Sequence, residues 1–190
     1  MKKISILLVA AVVAFSSFTV IENWKLDKAH SQLGFTVTHL GISDQSGVFK
    51  NFDVTIKTEK PDFSDAVVEL TADISSINTG VEMRDKHLKG ADFFDAEKYP
   101  TLNFTSTALK NVGKNKFKVT GNLTLHGITK PVTLDLLYRG TTTNPMSKAP
   151  TSGFQVTGTI KRSDFGIATG FPAAILGDIV TIKADGEFGK

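Results

Sequence analysis

A chain of 190 residues is long enough to bury one sizeable core and does not demand two domains. It contains no cysteine, which excludes a disulfide framework, a thiol nucleophile and a lipoprotein anchor. The formal charge of +3 includes Lys2 and Lys3; without them 22 − 2 = 20 basic residues face 19 acidic ones, and a net +1 gives no support to nucleic-acid binding.

Those two lysines precede an apolar run from Ile4 to Phe15 and then small and hydroxylated residues, which is the order of a secretory signal peptide. The run is too short to span a bilayer comfortably. Residues 1–19 are therefore expected to be a signal peptide, with cleavage anywhere from about residue 16 to 22. Residues 20–190 are expected to form one domain, periplasmic or secreted.

From Trp24 onward apolar and polar residues alternate with period two, and turn residues separate the runs. Trp24 to Ala29 and Ser31 to Leu40 are the first expected strands, the second placing Leu33, Phe35 and Val37 on one face. Gly41 to Gly47 reads as a turn-rich connection, and Gly47 to Glu59 as one long strand with Phe52, Val54 and Ile56 in register. After the loop Lys60 to Asp65, the next strand sets Val68, Leu70, Ala72 and Ile74 against Val67, Glu69, Thr71 and Asp73.

Thr79 to Pro100 is the longest segment that does not alternate. Thr79 is placed to cap a helix, Glu82 to reach back to its amide, and Gly90 to stop it. Helical spacing puts Val81, Arg84, Asp85 and Leu88 on one side, so two charged residues share the face that looks inward. Phe93, Phe94 and Tyr99 follow at once, which suggests a short helix and an aromatic loop lying across the mouth of something hollow.

Strands resume at Thr101. The cleanest places Phe117, Val119, Gly121, Leu123 and Leu125 on one face and Lys118, Thr120, Asn122, Thr124 and His126 on the other. Thr141 to Ser152 reads as an exposed connection, and between the last two strands Pro172 is expected to begin a helical turn that Gly177 ends. Eight or nine strands without βαβ alternation or internal repeats indicate an all-β antiparallel barrel or sandwich. Whether its apolar faces fill the interior or line a cavity is left open by periodicity.

The chemistry is sparse. His30, His39, His87 and His126 show no HxH or HExxH spacing and read as separate polar residues, so no metal and no cofactor are expected; metal binding stays the minority reading, because distant residues can converge in a barrel. No serine lies in a GxSxG turn, and Asp164-Phe165-Gly166 has no glycine-rich loop to make it a kinase motif. Arg84 and Asp85 have two readings: a hydrogen-bond bracket fastening the helix to the sheet, or polar contacts for a ligand at a barrel mouth. The 14 phenylalanines, against two tyrosines and one tryptophan, suit a dry core or a dry tunnel equally. Phe93, Phe94, Phe165 and Phe171 fall in irregular segments, which tilts them toward a pocket.

The ordered set of motifs resembles the YceI-like family of secreted bacterial proteins. It comprises Trp-x-Leu-Asp-x-x-His-Ser (Trp24 to Ser31), Phe35-x-Val37-x-His39, Arg84-Asp85-x-His87-Leu88, Phe93-Phe94-Asp95 and Tyr99-Pro100 with Phe104. Gly121-x-Leu123-Thr124-Leu125-His126-Gly127, Arg162-Ser163-Asp164-Phe165-Gly166 and Gly177-Asp178-x-Val180 complete it. Each motif alone is weak, but together they cover nearly the whole chain after residue 20.

The resemblance implies a single antiparallel eight-stranded lipocalin-like β-barrel, with the helix and loop inserted near residues 80–100. It also implies a non-enzymatic carrier of a long-chain amphiphile, a polyisoprenoid or isoprenoid quinone-like molecule, with fatty-acid-like lipids as alternatives. In such a barrel Phe35, Val37, Leu70, Phe104, Leu123 and Leu125 are expected in the wall. Phe93, Phe94, Phe165 and Phe171 are expected at the mouth, and Arg84, Asp85 and His87 as a polar bracket. Transient membrane contact and a homodimer stay open, and no nucleic-acid partner is expected. Two rivals remain: an enzyme acting on such a lipid, with His87 and Asp85 or His126 as acid and base, and a stress-protective protein with a filled core.

Overall fold

A computed structural model describes residues 20–190, so the expected signal peptide lies outside the described residues. The alternating runs pair in antiparallel ladders because each has one apolar face to bury. The strands are β1 (Glu22–His39), β2 (Ser43–Phe49), β3 (Phe52–Thr58), β4 (Val67–Asp73), β5 (Ile77–Asn78), β6 (Thr101–Gly113), β7 (Lys116–Leu125), β8 (Ile128–Thr143), β9 (Pro150–Lys161) and β10 (Leu176–Gly189). The order β10-β9-β8-β7-β6-β4-β3-β1 closes on itself through a β1–β10 pairing, giving an eight-stranded antiparallel barrel as expected.

Several boundaries differ from the sequence reading. The two runs before Leu40 form one strand, β1, whose pairing with β10 slips between Asp27 and Gln32. The turn expected over 41–47 is mostly strand: Ser43 to Phe49 pairs with the upper half of β1. The long strand expected over 47–59 breaks at Lys50 and Asn51, because its neighbours change there. β3 pairs with β4 and the lower end of β1, whereas β2 pairs with the upper half of β1 and with β5. The corner is held by the Asn51 carbonyl, which accepts from the Asp73 amide (2.9 Å), and by the Lys50 amide, which donates to the Ser76 carbonyl (3.2 Å).

The connection expected over 141–152 shrinks to 144–149, since the threonines at one end and Pro150 to Ser152 at the other extend β8 and β9 in register. Pro172 does open a turn, with the Ile175 and Leu176 amides donating to its carbonyl at 2.8 and 3.0 Å. Gly177 does not end a helix there, because β10 has already begun at Leu176.

The one α-helix among the described residues, α1 (Glu82–Lys89), lies in the insert expected near residues 80–100, but its start is built differently. Val81 occupies the cap position without a side-chain hydrogen bond, and Thr79 caps nothing. The Thr79 hydroxyl is taken instead by the Asp85 carboxylate, a charged acceptor stronger than a neutral one. Gly90 ends the helix in an extended conformation, not a left-handed one. The Leu88 and Lys89 carbonyls are satisfied by the Phe94 (3.1 Å) and Ala96 (2.9 Å) amides, which folds the aromatic loop back over the helix end.

Candidate functional site

The inward faces do not fill the barrel. They surround a cavity of ≈ 240 Å³, so the filled-core reading does not describe this interior. Alternation builds its wall: β7 contributes Val119, Leu123 and Leu125, β3 Phe52, Val54 and Ile56, and β4 Val68 and Leu70. Gly121 also faces inward, where its missing Cβ makes room for the Phe104 ring. Besides glycine, the lining residues that are not apolar are Gln32, Arg162 and Asp185.

Of the thirteen expected site residues, Phe35, Val37, Leu70, Phe93, Phe94, Phe104, Leu123 and Leu125 line the cavity. Phe171 stands just behind, its ring 5.2 Å from that of Phe93. Phe165 is only 1% exposed and lies outside the lining, so its place is in the packed wall. Its carbonyl lies 3.1 Å from His126 Nδ1.

Arg84, Asp85 and His87 are also outside the lining. Asp85, 8% exposed, accepts from the Thr79 amide (2.8 Å) and hydroxyl (2.6 Å) through one oxygen. Arg84 donates from Nε to the Thr79 hydroxyl (2.8 Å), from Nη2 to the Thr79 carbonyl (3.0 Å) and from Nη1 to Gln45 Oε1 on β2 (2.6 Å). This is the fastening bracket, with Thr79 as its hub. The Thr79 hydroxyl holds the Asp85 carboxyl below the ordinary carboxylate range, helped by the Thr79 amide and the charges of Lys89 and Arg84, against the opposing effect of burial. His87 packs edge-on to Phe93 at 4.8 Å, and the carboxylate it faces is Asp92 at 3.9 Å, not Asp85.

The two ends of the cavity are closed differently. Below, Phe63 reaches in from the β3–β4 loop and packs against Trp24 (5.3 Å), Tyr138 (5.2 Å) and Phe154 (5.0 Å), with Phe188 against Phe154 at 5.6 Å. Above, Leu88, Phe93 and Phe94 of the insert complete the lining, with Phe94 edge-on to Phe49 at 6.1 Å and Phe49 against Phe35 at 5.8 Å.

Sequence reasoning missed the lower plug, because Phe63 sits in a loop where periodicity carries no information about burial. It also missed Arg162, which is 6% exposed and lines the cavity. Its five N–H groups go to five backbone carbonyls: Gly177 (3.1 Å), Ile167 (3.1 Å), Ala168 (2.5 Å), Phe171 (2.7 Å) and Leu176 (2.9 Å). One side chain thereby shapes the whole 167–177 loop. Nearby Asp178 is held below its ordinary pKa range by the Ser163 hydroxyl and amide, with the Arg162 charge adding. The usable signal was its place at the head of the Arg162-Ser163-Asp164-Phe165-Gly166 motif, directly after the end of β9.

A model of the YceI-like domain matches residues 24–188. The UPF0312 protein SA2479 of Staphylococcus aureus (strain N315) is 39% identical over 170 residues, covering 87% of this chain and 96% of that protein. Among solved structures, BcnA of Burkholderia cenocepacia superimposes with TM-score 0.77 at 29% identity, covering 85% of this chain and 98% of BcnA. The Campylobacter jejuni YCEI protein does so with TM-score 0.73 at 35% identity, covering 87% and 96%. A structure described as a polyisoprenoid binding domain from Saccharophagus degradans shares the fold with TM-score 0.68 at 18% identity, covering 87% and 97%. The chain belongs to the YceI-like family.

Proposed function

We propose that this protein binds and carries a long-chain amphiphilic lipid, a polyisoprenoid or isoprenoid quinone-like molecule, inside the barrel and without chemical turnover. The observation that carries the reading is the lining: a hollow within the barrel whose wall is apolar except at Gln32, Arg162 and Asp185. Water there finds few partners, whereas each methylene brought in contributes about 0.8 kcal/mol. Ten carbons offset a good part of the ordering cost of binding without one hydrogen bond.

The dimensions favour a long tail. Lining residues on β10 run from Leu176 to Phe188, which at the rise of a strand tilted in a barrel corresponds to roughly 30 Å along the axis. A polyisoprenoid is the ligand class named for the Saccharophagus degradans domain, which resembles this chain in fold; the apolar lining supports it here. Aromatic rings at both ends suit the flat, branched units of such a chain. The basic residues and apolar run at the N-terminus support a periplasmic or secreted location, where the protein would take its cargo at a membrane surface.

Native mass spectrometry of the protein from its own host, followed by solvent extraction, tests the reading. A stoichiometric long-chain lipid, lost when Val156 in the wall is enlarged (Val156→Trp), is the expected result. A ligand-free protein that takes up neither added isoprenoids nor fatty acids would overturn it.

A further inference from the structure

The seam between β1 and β10 contains an arrangement that lipid binding leaves unexplained. Asp27 and Glu187 are direct partners on this antiparallel ladder, and like charges placed opposite each other destabilise a strand pair. Among the described residues neither carboxylate has a lysine or arginine within ion-pair distance: the nearby Lys28 pairs with Asp53 (3.6 Å), and Arg139 with Asp185 (3.7 Å). What stands beside them is a histidine. At this point β1 carries Lys28 to Ser31 opposite the single residue Gly186, and the protruding loop brings His30 Nδ1 to 2.8 Å from Asp27 Oδ2.

One ligand atom from each of Asp27, His30 and Glu187 lies within 4.8 Å of the other two. Donors around a tetrahedral zinc stand about 3.4 Å apart, so exposed side chains need only a small inward rotation to reach that spacing. The backbone on both sides is fixed: the Ala29 amide donates to Asp27 Oδ1 (3.0 Å), and the Glu187 amide donates to the Ser31 hydroxyl (3.1 Å). Alongside runs an outer groove of ≈ 460 Å³ lined by His30, Glu187 and the threonines Thr141, Thr142 and Thr151, which leaves room for a water as fourth ligand.

We propose that Asp27, His30 and Glu187 form a divalent transition-metal site of the zinc class, bridging the two strands that close the barrel. Two carboxylates supply the charge that neutralises the ion, and the imidazole selects borderline metals over calcium and magnesium, which prefer all-oxygen sites. The bound ion relieves the repulsion between the opposed acids and joins residues 157 or more positions apart in the chain. This site is independent of the lipid reading and lies on the outside of the seam.

The test is calorimetric titration of the full protein, with any affinity tag removed, using zinc chloride and then calcium chloride, with cobalt(II) absorption as a report on coordination. One zinc per chain is expected, with a raised thermal midpoint and d–d bands typical of four- or five-coordinate cobalt. His30→Ala and Glu187→Gln should weaken zinc binding by at least about tenfold, and Ser31→Ala, which acts only through the Glu187 backbone, by less. Both ligand substitutions are at the surface, and near-UV circular dichroism verifies that they fold. No zinc binding by the wild type, equal binding by calcium, or zinc affinity unchanged in both variants would each overturn the proposal.

Discussion

The plug and the cap of the barrel use the same residue type under different constraints. In the plug Trp24, Phe63, Phe154 and Phe188 are all buried, and Phe63 takes a left-handed backbone (φ 59°) to get there, a conformation that costs about 1 kcal/mol and persists only where packing over-determines it. In the cap Phe49 and Phe93 are buried, but Phe35, Phe94 and Phe171 are half-buried and come from β1 and two loops. Aromatic rings interlocked on all sides make a floor. Rings held from one side by a bracketed helix make a looser cover, and the proposed carrier function would use it as the door.

The largest effect that tests this contrast is at the floor. Phe63→Ala is expected to cost about 3–5 kcal/mol in urea unfolding. A loss near 1 kcal/mol would mean that the plug is no more tightly packed than the cap. Second is the bracket: Arg84→Ala frees the Thr79 carbonyl and Gln45, and should cost about 1–3 kcal/mol, with amide exchange accelerated across residues 77–96 before anywhere else. Uniform exchange throughout the barrel would join cap and wall into one cooperative unit.

Phe94→Ala, at the door, should lower stability by less than either and raise the dissociation rate of a preloaded lipid several-fold, read by transfer to acceptor vesicles. An unchanged off-rate would move the exit away from the cap. The smallest effect concerns pH. The folded-state pKa of Asp85 lies below its unfolded value of about 3.9, so the stabilisation is complete above that value and disappears as pH falls through the lower folded one. The difference in exchange protection of α1 between wild type and Asp85→Asn should therefore shrink below about pH 4. A difference that is flat down to pH 2 would remove Asp85 from the latch.

What was legible in the sequence follows from where physics acts locally. Inward positions of β3, β4 and β7 could be read from alternation because one face of each strand is buried along its length. The short helix and aromatic loop stood out because they break that alternation. The cap was misread in detail, since a threonine three residues before a glutamate has the spacing of a capping box, while the carboxylate that takes its hydroxyl is six residues away on the helix. The β2–β3 break was invisible because its cause is a change of neighbour: β4 on one side of the corner and β5 on the other. Phe63 went unseen, and Arg162, named only as part of a motif, was given no place in the site, for a related reason. Their burial comes from what the chain brings over them, and a loop or strand end carries no period to announce it.

The barrel closes by pairing its first strand with its last, Lys25 opposite Gly189 and Val37 opposite Val180. The hollow therefore has no partial form. A nascent chain that has delivered nine strands presents its apolar lining along an open edge, and only the arrival of residues 176–189 turns that sheet into a container. Closure, resting on the longest sequence separation in the molecule, is the step expected to set the folding rate, and under the proposed function no lipid could be held before it. The same adjacency brings the two ends of the domain together, Lys190 Nζ lying 2.5 Å from Glu22 Oε1. A circular permutant joined there and reopened at the 144–149 loop would keep every wall residue while changing which strand arrives last.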